Sequence, residues 1–213
     1  MKLSSSITAS KWFKLIWIVP LGLAMLLTVV LTTQWLRQFP AVQSFVASYP
    51  GTSGLPEHTP IGMPAWLGWQ HFLNTLIILL LIRSGWTVRT NQRPDVYWTR
   101  NNDGLIRTKN PPRKVSLDLW LHLNLGALFA INGAFFYILL FSTGQWKRLI
   151  PMSWDVFPNA ASTAIQYMSL NWPAEHGWTS YNALQLLSYF VTVFIAAPLA
   201  IVTGVRMSGA WPA

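Results

Sequence analysis

Four long apolar stretches constrain this chain more than any other feature. They run approximately over Leu15–Thr33, Pro64–Ile82, Leu117–Phe141 and Ala183–Thr203. At about 1.5 Å per residue, each is long enough to cross a ~30 Å hydrocarbon core as a helix. Only 10% of the 213 residues are charged, against about 25% in an ordinary soluble domain. Thirteen Trp, many beside the apolar runs, suit the aromatic belts of membrane interfaces. The expected fold class is an all-α integral membrane protein, with four transmembrane helices in an up-down bundle. The first stretch follows Lys2, Lys11 and Lys14, as a signal peptide would. Its apolar run exceeds the usual length of about 7–15 residues, and no small-x-small cleavage site follows Thr33, so a retained helix is expected.

The placement of charge orients the bundle. Twelve of the fifteen basic residues lie in the N-terminal segment, in the connection from Arg83 to Lys114, or at Arg206. Positive-inside bias then places both termini and the basic connection in the cytoplasm, in a multi-pass protein of the inner (plasma) membrane. The net charge of +9 marks topology and contact with anionic membrane lipid rather than nucleic acid, since no recognition motif accompanies it. The domain plan is an N-terminal membrane helix (1–36), an outer loop (37–62) and a helical bundle (63–213). Residues from Ser44 to Gly62 are rich in Pro, Gly, Ser and Thr and read as irregular. Within Trp146–Trp178, the apolar Ala160–Met168 stretch reads as a short helix on the membrane surface. Pro20 and Pro198 fall inside spans, where they can kink a helix.

There is no Cys. Disulfides, thiolate-ligated metal centres and covalent haem attachment are therefore excluded, and any cofactor must be held by His, Met or oxygen. Of the four His, His58 and His176 lie in outer loops, each beside a glutamate, and read as solvated. A zinc site built from Glu57, His58, Glu175 and His176 is conceivable, but nothing in the spacing enforces it. His71 and His122 sit inside apolar runs, where an imidazole must find a partner. One reading is a neutral ring hydrogen-bonded to a neighbouring helix. The other is an axial ligand of haem iron. Counting from the predicted span ends puts His71 roughly 10 Å below one face and His122 about 9 Å from the other. The two would then differ by about 10 Å along the membrane normal, too far to share one iron. Gly68, Gly126 and Gly133 nearby allow a flat macrocycle, or a second helix, to approach closely.

At these residues the chain resembles the di-haem cytochrome b membrane subunits of bacteria. These are the cytochrome b of Ni,Fe-hydrogenases and the gamma subunit of formate dehydrogenase, with the branch serving molybdopterin-dependent oxidoreductases most similar. The resembling stretches are Trp69-Gln-His-Phe-Leu-Asn-Thr-Leu76 with Arg83-Ser-Gly85, then Arg93-Pro-Asp-Val-Tyr-Trp98 and Leu119-Trp-Leu-His-Leu123. Tyr181-Asn-Ala-Leu-Gln-Leu-Leu-Ser-Tyr-Phe190 with Ala197-Pro-Leu-Ala-Ile-Val-Thr-Gly204 completes them. Coverage is roughly Gly62 to Trp211.

The resemblance implies two b-type haems, with His71 and His122 each giving one axial ligand. It also implies a respiratory role, passing electrons between quinone and a catalytic oxidoreductase subunit. The chain departs from the family in having no later helix and no third membrane histidine. The missing ligands then come from another polypeptide, or the chain is a truncated product, or it is a haem-free membrane anchor. Arg83 reads either as a haem propionate contact or as a snorkelling interface anchor. Asp118, one turn before His122, reads as a helix-start residue or as a proton-attracting group near quinone, the former preferred. Met207 reads as apolar surface rather than as a ligand. A hydrolase lacks the necessary parts, and a transporter would call for repeats with broken helices.

Overall fold

The computed structural model describes residues 13–52, 54–103, 111–172 and 181–208. Helices α1 (Phe13–Leu36), α2 (Pro40–Ser48) and α3 (Ala65–Thr90) come first. The ribbon of β1 (Tyr97–Thr99) and β2 (Lys114–Ser116) follows, then α4 (Leu117–Ser142), α5 (Val156–Met168) and the long helix α6 (Ala183–Met207). Four of these helices, α1, α3, α4 and α6, are long and apolar enough to cross a membrane, and the chain is a multi-pass membrane protein. They match the four apolar stretches, extended by several residues at the ends of α3 and α6. The α3 extension is largely polar and that of α6 carries Arg206, and hydropathy under-reads helix that continues beyond the hydrocarbon. The chain divides into two compact units, one of residues 1–57 with 148–189 and one of residues 58–147 with 190–213.

In the second unit α3 and α4 form an antiparallel hairpin held by polar side chains. The Asn132 amide donates to the Asn74 amide oxygen at 2.8 Å, and Ser84 meets His122 at 2.9 Å. Asn74 precedes Ser84 by the same number of residues as Asn132 follows His122, so both bonds report one register. Between apolar helices in lipid there is no hydrophobic drive to associate, and such bonds act as glue worth about 0.6–2 kcal/mol each. The start of α4 is set by its own sequence. The Ser116 hydroxyl caps the helix by accepting from Leu119 N–H, and Asp118 lies in the first turn, where a negative charge suits the helix dipole. Asp118 also accepts from the Asn91 amide, tying the end of α3 to the start of α4.

Pro198 leaves a clear mark on α6. The helix widens into a π turn over Thr192–Ala196, with Ala197 N–H bonding to Thr192 C=O five residues back. In that spacing the Val193 carbonyl would receive its bond from residue 198, but proline has no N–H. The Tyr137 hydroxyl of α4 donates to the Val193 carbonyl instead. In hydrocarbon an unpaired carbonyl has no water to turn to and costs several kcal/mol. Pro198 therefore acts through a widened turn and a side-chain repair.

The first unit is organised around Gly51. Its N–H donates to Asn159 Oδ1 at 2.9 Å, and its carbonyl accepts from Ala183 N–H at 2.9 Å and Thr163 Oγ1 at 3.3 Å. Thr52 pairs with Asn182 in a short β-bridge, and Gln166 donates to Pro50 C=O. Val156, Ala160, Ala183 and Leu186 form a small apolar core beside these bonds. Asn182 and Gln185 form a reciprocal capping box at the start of α6. The expected surface helix is α5, begun four residues earlier than Ala160, and its polar face is buried by the chain itself. The irregular reading of Ser44–Gly62 is corrected over Ser44–Ser48, which end α2. Pro40 sits in the first turn of that helix, and Val42, Phe45 and Val46 follow at helical spacing.

Gly51 has φ +100°, and a Cβ there would lie 2.6 Å from Thr163 Oγ1. Gly51→Ala is expected to destabilise the protein by about 2 kcal/mol or more, read as a lowered thermal midpoint in detergent. Tyr137→Phe is expected to cost about 1–3 kcal/mol by orphaning Val193. A double-mutant cycle with Pro198→Ala should recover part of that loss, because residue 198 then carries an N–H.

Candidate functional site

His122 is the one intramembrane histidine whose ring has a partner among the described residues. It is partly buried between α3 and α4, with Nδ1 2.9 Å from Ser84 Oγ. Ser84 is 5% exposed, and its oxygen also lies 3.1 Å from the Leu81 carbonyl. A serine hydroxyl has one proton, and the carbonyl can only accept it. With that proton on the Leu81 carbonyl, Ser84 accepts from a His122 Nδ1–H; with it on His122 Nδ1, the ring is the Nε2–H tautomer, and the 2.9 Å contact suits both. In the first arrangement Nε2 carries the lone pair, the tautomer a metal-binding imidazole needs when its other nitrogen is held by hydrogen bonding.

Gly85 completes the seat. A Cβ at this position would come within 3.2 Å of His122 Cε1, so any side chain here would push the ring back by a few tenths of an ångström. Ser84 and Gly85 escape a search for titratable groups. Their signal is a pair of small residues where an apolar run ends, which marks close helix approach.

His71 behaves differently. It is exposed on α3, and its ring has no hydrogen-bond partner among the described residues. Only its backbone carbonyl is engaged, by Thr75 Oγ1 at 2.8 Å. The α3–α4 register puts Ser84 level with His122, and His71 lies thirteen residues before Ser84 on the same helix. Along the helix axis the two histidines are therefore about 20 Å apart, twice the separation read from the span ends. The sequence estimate started α3 correctly but ended it eight residues early. The fitted core thickness then compressed the distance.

The remaining candidates are scattered. Arg83 is exposed, and its side chain makes no hydrogen bond or ion pair among the described residues. That is the posture of an interface anchor. Met207 is 81% exposed. His58 is exposed, with φ +58° and its carbonyl facing Lys147 Nζ at 3.5 Å. His176 and Glu175 lie outside the described residues. Among the described residues no three His, Asp or Glu side chains gather into a metal-binding group. Compared with known proteins, the chain matches no family model, no curated protein and no solved structure.

The tautomer is directly measurable. In protein labelled with 15N-histidine, the His122 Nδ1 is expected to carry the proton, and Ser84→Ala should shift the ring toward the Nε2–H form. Gly85→Leu should separate α3 from α4 and cost about 1–3 kcal/mol, as overpacking generally does.

Proposed function

We propose that this chain is a membrane electron-transfer subunit that holds b-type haem and passes electrons between quinone and a partner oxidoreductase. The observation that carries this reading is the seat of His122, a ring held through Nδ1 by Ser84 with Nε2 unpartnered among the described residues. The donor set fits one axial position of a haem iron, and haem when bound supplies the one-electron chemistry. Ser84 fixes the angle of the ring and raises its basicity through the Nδ1–H bond. Gly85 keeps the ring close against α3. The apolar spans around it keep water from the site.

His71 belongs to a separate haem in this reading, since about 20 Å of helix lies between the two rings. Its exposure is consistent with a surface covered by cofactor or by another polypeptide. A second ligand for each iron must come from outside the described residues, supplied by a partner subunit or a second copy. Positive-inside bias of the basic residues in the α3–α4 connection supports a cytoplasmic side for that connection and both termini, in the inner (plasma) membrane. The molybdopterin-dependent character of the partner rests on the sequence resemblance alone.

The rival is a haem-free anchor, favoured by the fact that the Ser84 bond satisfies His122 without any metal. A reduced-minus-oxidised visible spectrum of the purified chain, with haem counted per polypeptide, separates the two. A b-type spectrum is expected, with His122→Ala removing one haem. Ser84→Ala should weaken haem retention about 10-fold or more, as loss of a ligand's hydrogen-bond partner typically does. A colourless protein, both from the chain alone and from co-purified complexes, in which His122→Ala is mild, would establish the anchor.

A further inference from the structure

Where α1 ends, the first unit carries a cleft that neither the haem reading nor the fold uses. It has a volume of about 600 Å³ and is lined by Gln34, Arg37, Gln38, Val42, Gln43, Val46 and Ala47. That volume is in the range of small-molecule sites. Three features describe what would fill it.

The first is the state of Arg37. Its Nη1 donates to Ser169 Oγ at 2.8 Å, and with the Asn171 amide oxygen facing the guanidinium, Nη1 and Nη2 reach that oxygen at 2.7 and 2.6 Å. A guanidinium has five N–H donors. These contacts use both on Nη1 and one on Nη2, leaving Nε–H and the second Nη2–H. Those two form the parallel fork that matches two oxygens of a phosphate. All the partners Arg37 has among the described residues are neutral, so no carboxylate among the described residues balances its charge.

The second feature is the rest of the lining. Gln34 and Gln43 each donate one amide N–H to a backbone carbonyl, Ser169 and Gln38, which leaves their amide oxygens, a second N–H each and the Gln38 amide for hydroxyl groups, and Val42, Val46 and Ala47 form an apolar wall. No lining residue is acidic, so an ammonium headgroup would find no counter-charge. The third is the neighbourhood. Helix α1 is apolar and, from Ile16 to Leu36, exposed at most positions, with Leu31 at 55%, and Trp35 and Phe39 meet edge-to-face at its end. Aromatic pairs of this kind sit at headgroup level, so acyl chains can lie along α1 while a headgroup enters the cleft.

We propose that the α1–α2 cleft binds the phosphodiester of an anionic phospholipid whose headgroup carries hydroxyls and no amine, phosphatidylglycerol being the simplest. Arg37 is the phosphate-binding residue, Ser169 and Asn171 position it, and Gln34, Gln38 and Gln43 face the headgroup. The site rests on the membrane reading of the chain and is independent of haem.

Native mass spectrometry of the full chain in detergent, titrated with phosphatidylglycerol or phosphatidylethanolamine, tests it. Phosphatidylglycerol should bind at least 5-fold better, and Arg37→Gln should lower its occupancy by a similar factor. Ala47→Trp, which fills the cleft without touching Arg37, should do the same and decides the matter if Arg37→Gln fails to fold. Equal binding of the two lipids, or undiminished phosphatidylglycerol occupancy in either folded variant, would overturn the proposal. So would displacement of the lipid by millimolar inorganic phosphate, which would mark a general anion site.

Discussion

Within hydrocarbon no water repairs a missing hydrogen bond, and most of the second unit follows from that constraint. The α3–α4 hairpin is joined where polar groups would otherwise be stranded: Asn74 finds Asn132, and Ser84 finds His122. The same pressure explains Tyr137, whose hydroxyl serves the carbonyl that Pro198 leaves without a donor. Each bond also fixes position. An antiparallel pair of apolar helices has many nearly equivalent registers, and two polar contacts ten residues apart select one of them. His71 is the exception in this set, since its ring is exposed and unmatched by the chain's described residues.

The first unit solves a different problem. Its chain leaves α1, turns through α2, and must return to start α6 with its backbone satisfied outside regular structure. Gly51 makes this possible by adopting a left-handed backbone and passing close to α5, where its N–H and C=O are both taken. The polar face of α5, with Asn159, Thr163 and Gln166, is thus an internal scaffold. Arg37 and Gln34 extend that scaffold to the end of α1 through Ser169. The lipid site proposed for the neighbouring cleft uses the donors that this scaffold leaves over.

Legibility differed by feature. The four spans were readable because transfer to hydrocarbon depends on composition over about twenty residues, and their order cannot hide it. The ends were read short where Arg83 to Thr90 continue α3 in polar residues. The ribbon of β1 and β2 inside the basic connection was not expected, because three-residue strands carry too little periodicity to stand out. His122 was marked as unusual by its apolar surroundings, but its partner Ser84 lies thirty-eight residues away in sequence. No local pattern announces that pairing. Gly51 was likewise one glycine among several in a stretch read as irregular.

The sequence by itself determined that this is a membrane protein with four helical spans, no thiol chemistry, and two histidines that needed explaining. Those conclusions depend on side-chain free energies of transfer and on residue types, which are properties of the chain before it folds. Only the tertiary structure decided that His122 has its Nδ1 held by Ser84, that His71 stands about 20 Å away along the helix, and that a proline in α6 is answered by a tyrosine in α4. Those depend on register and close approach between distant segments, where a shift of one residue would turn every contact to another face.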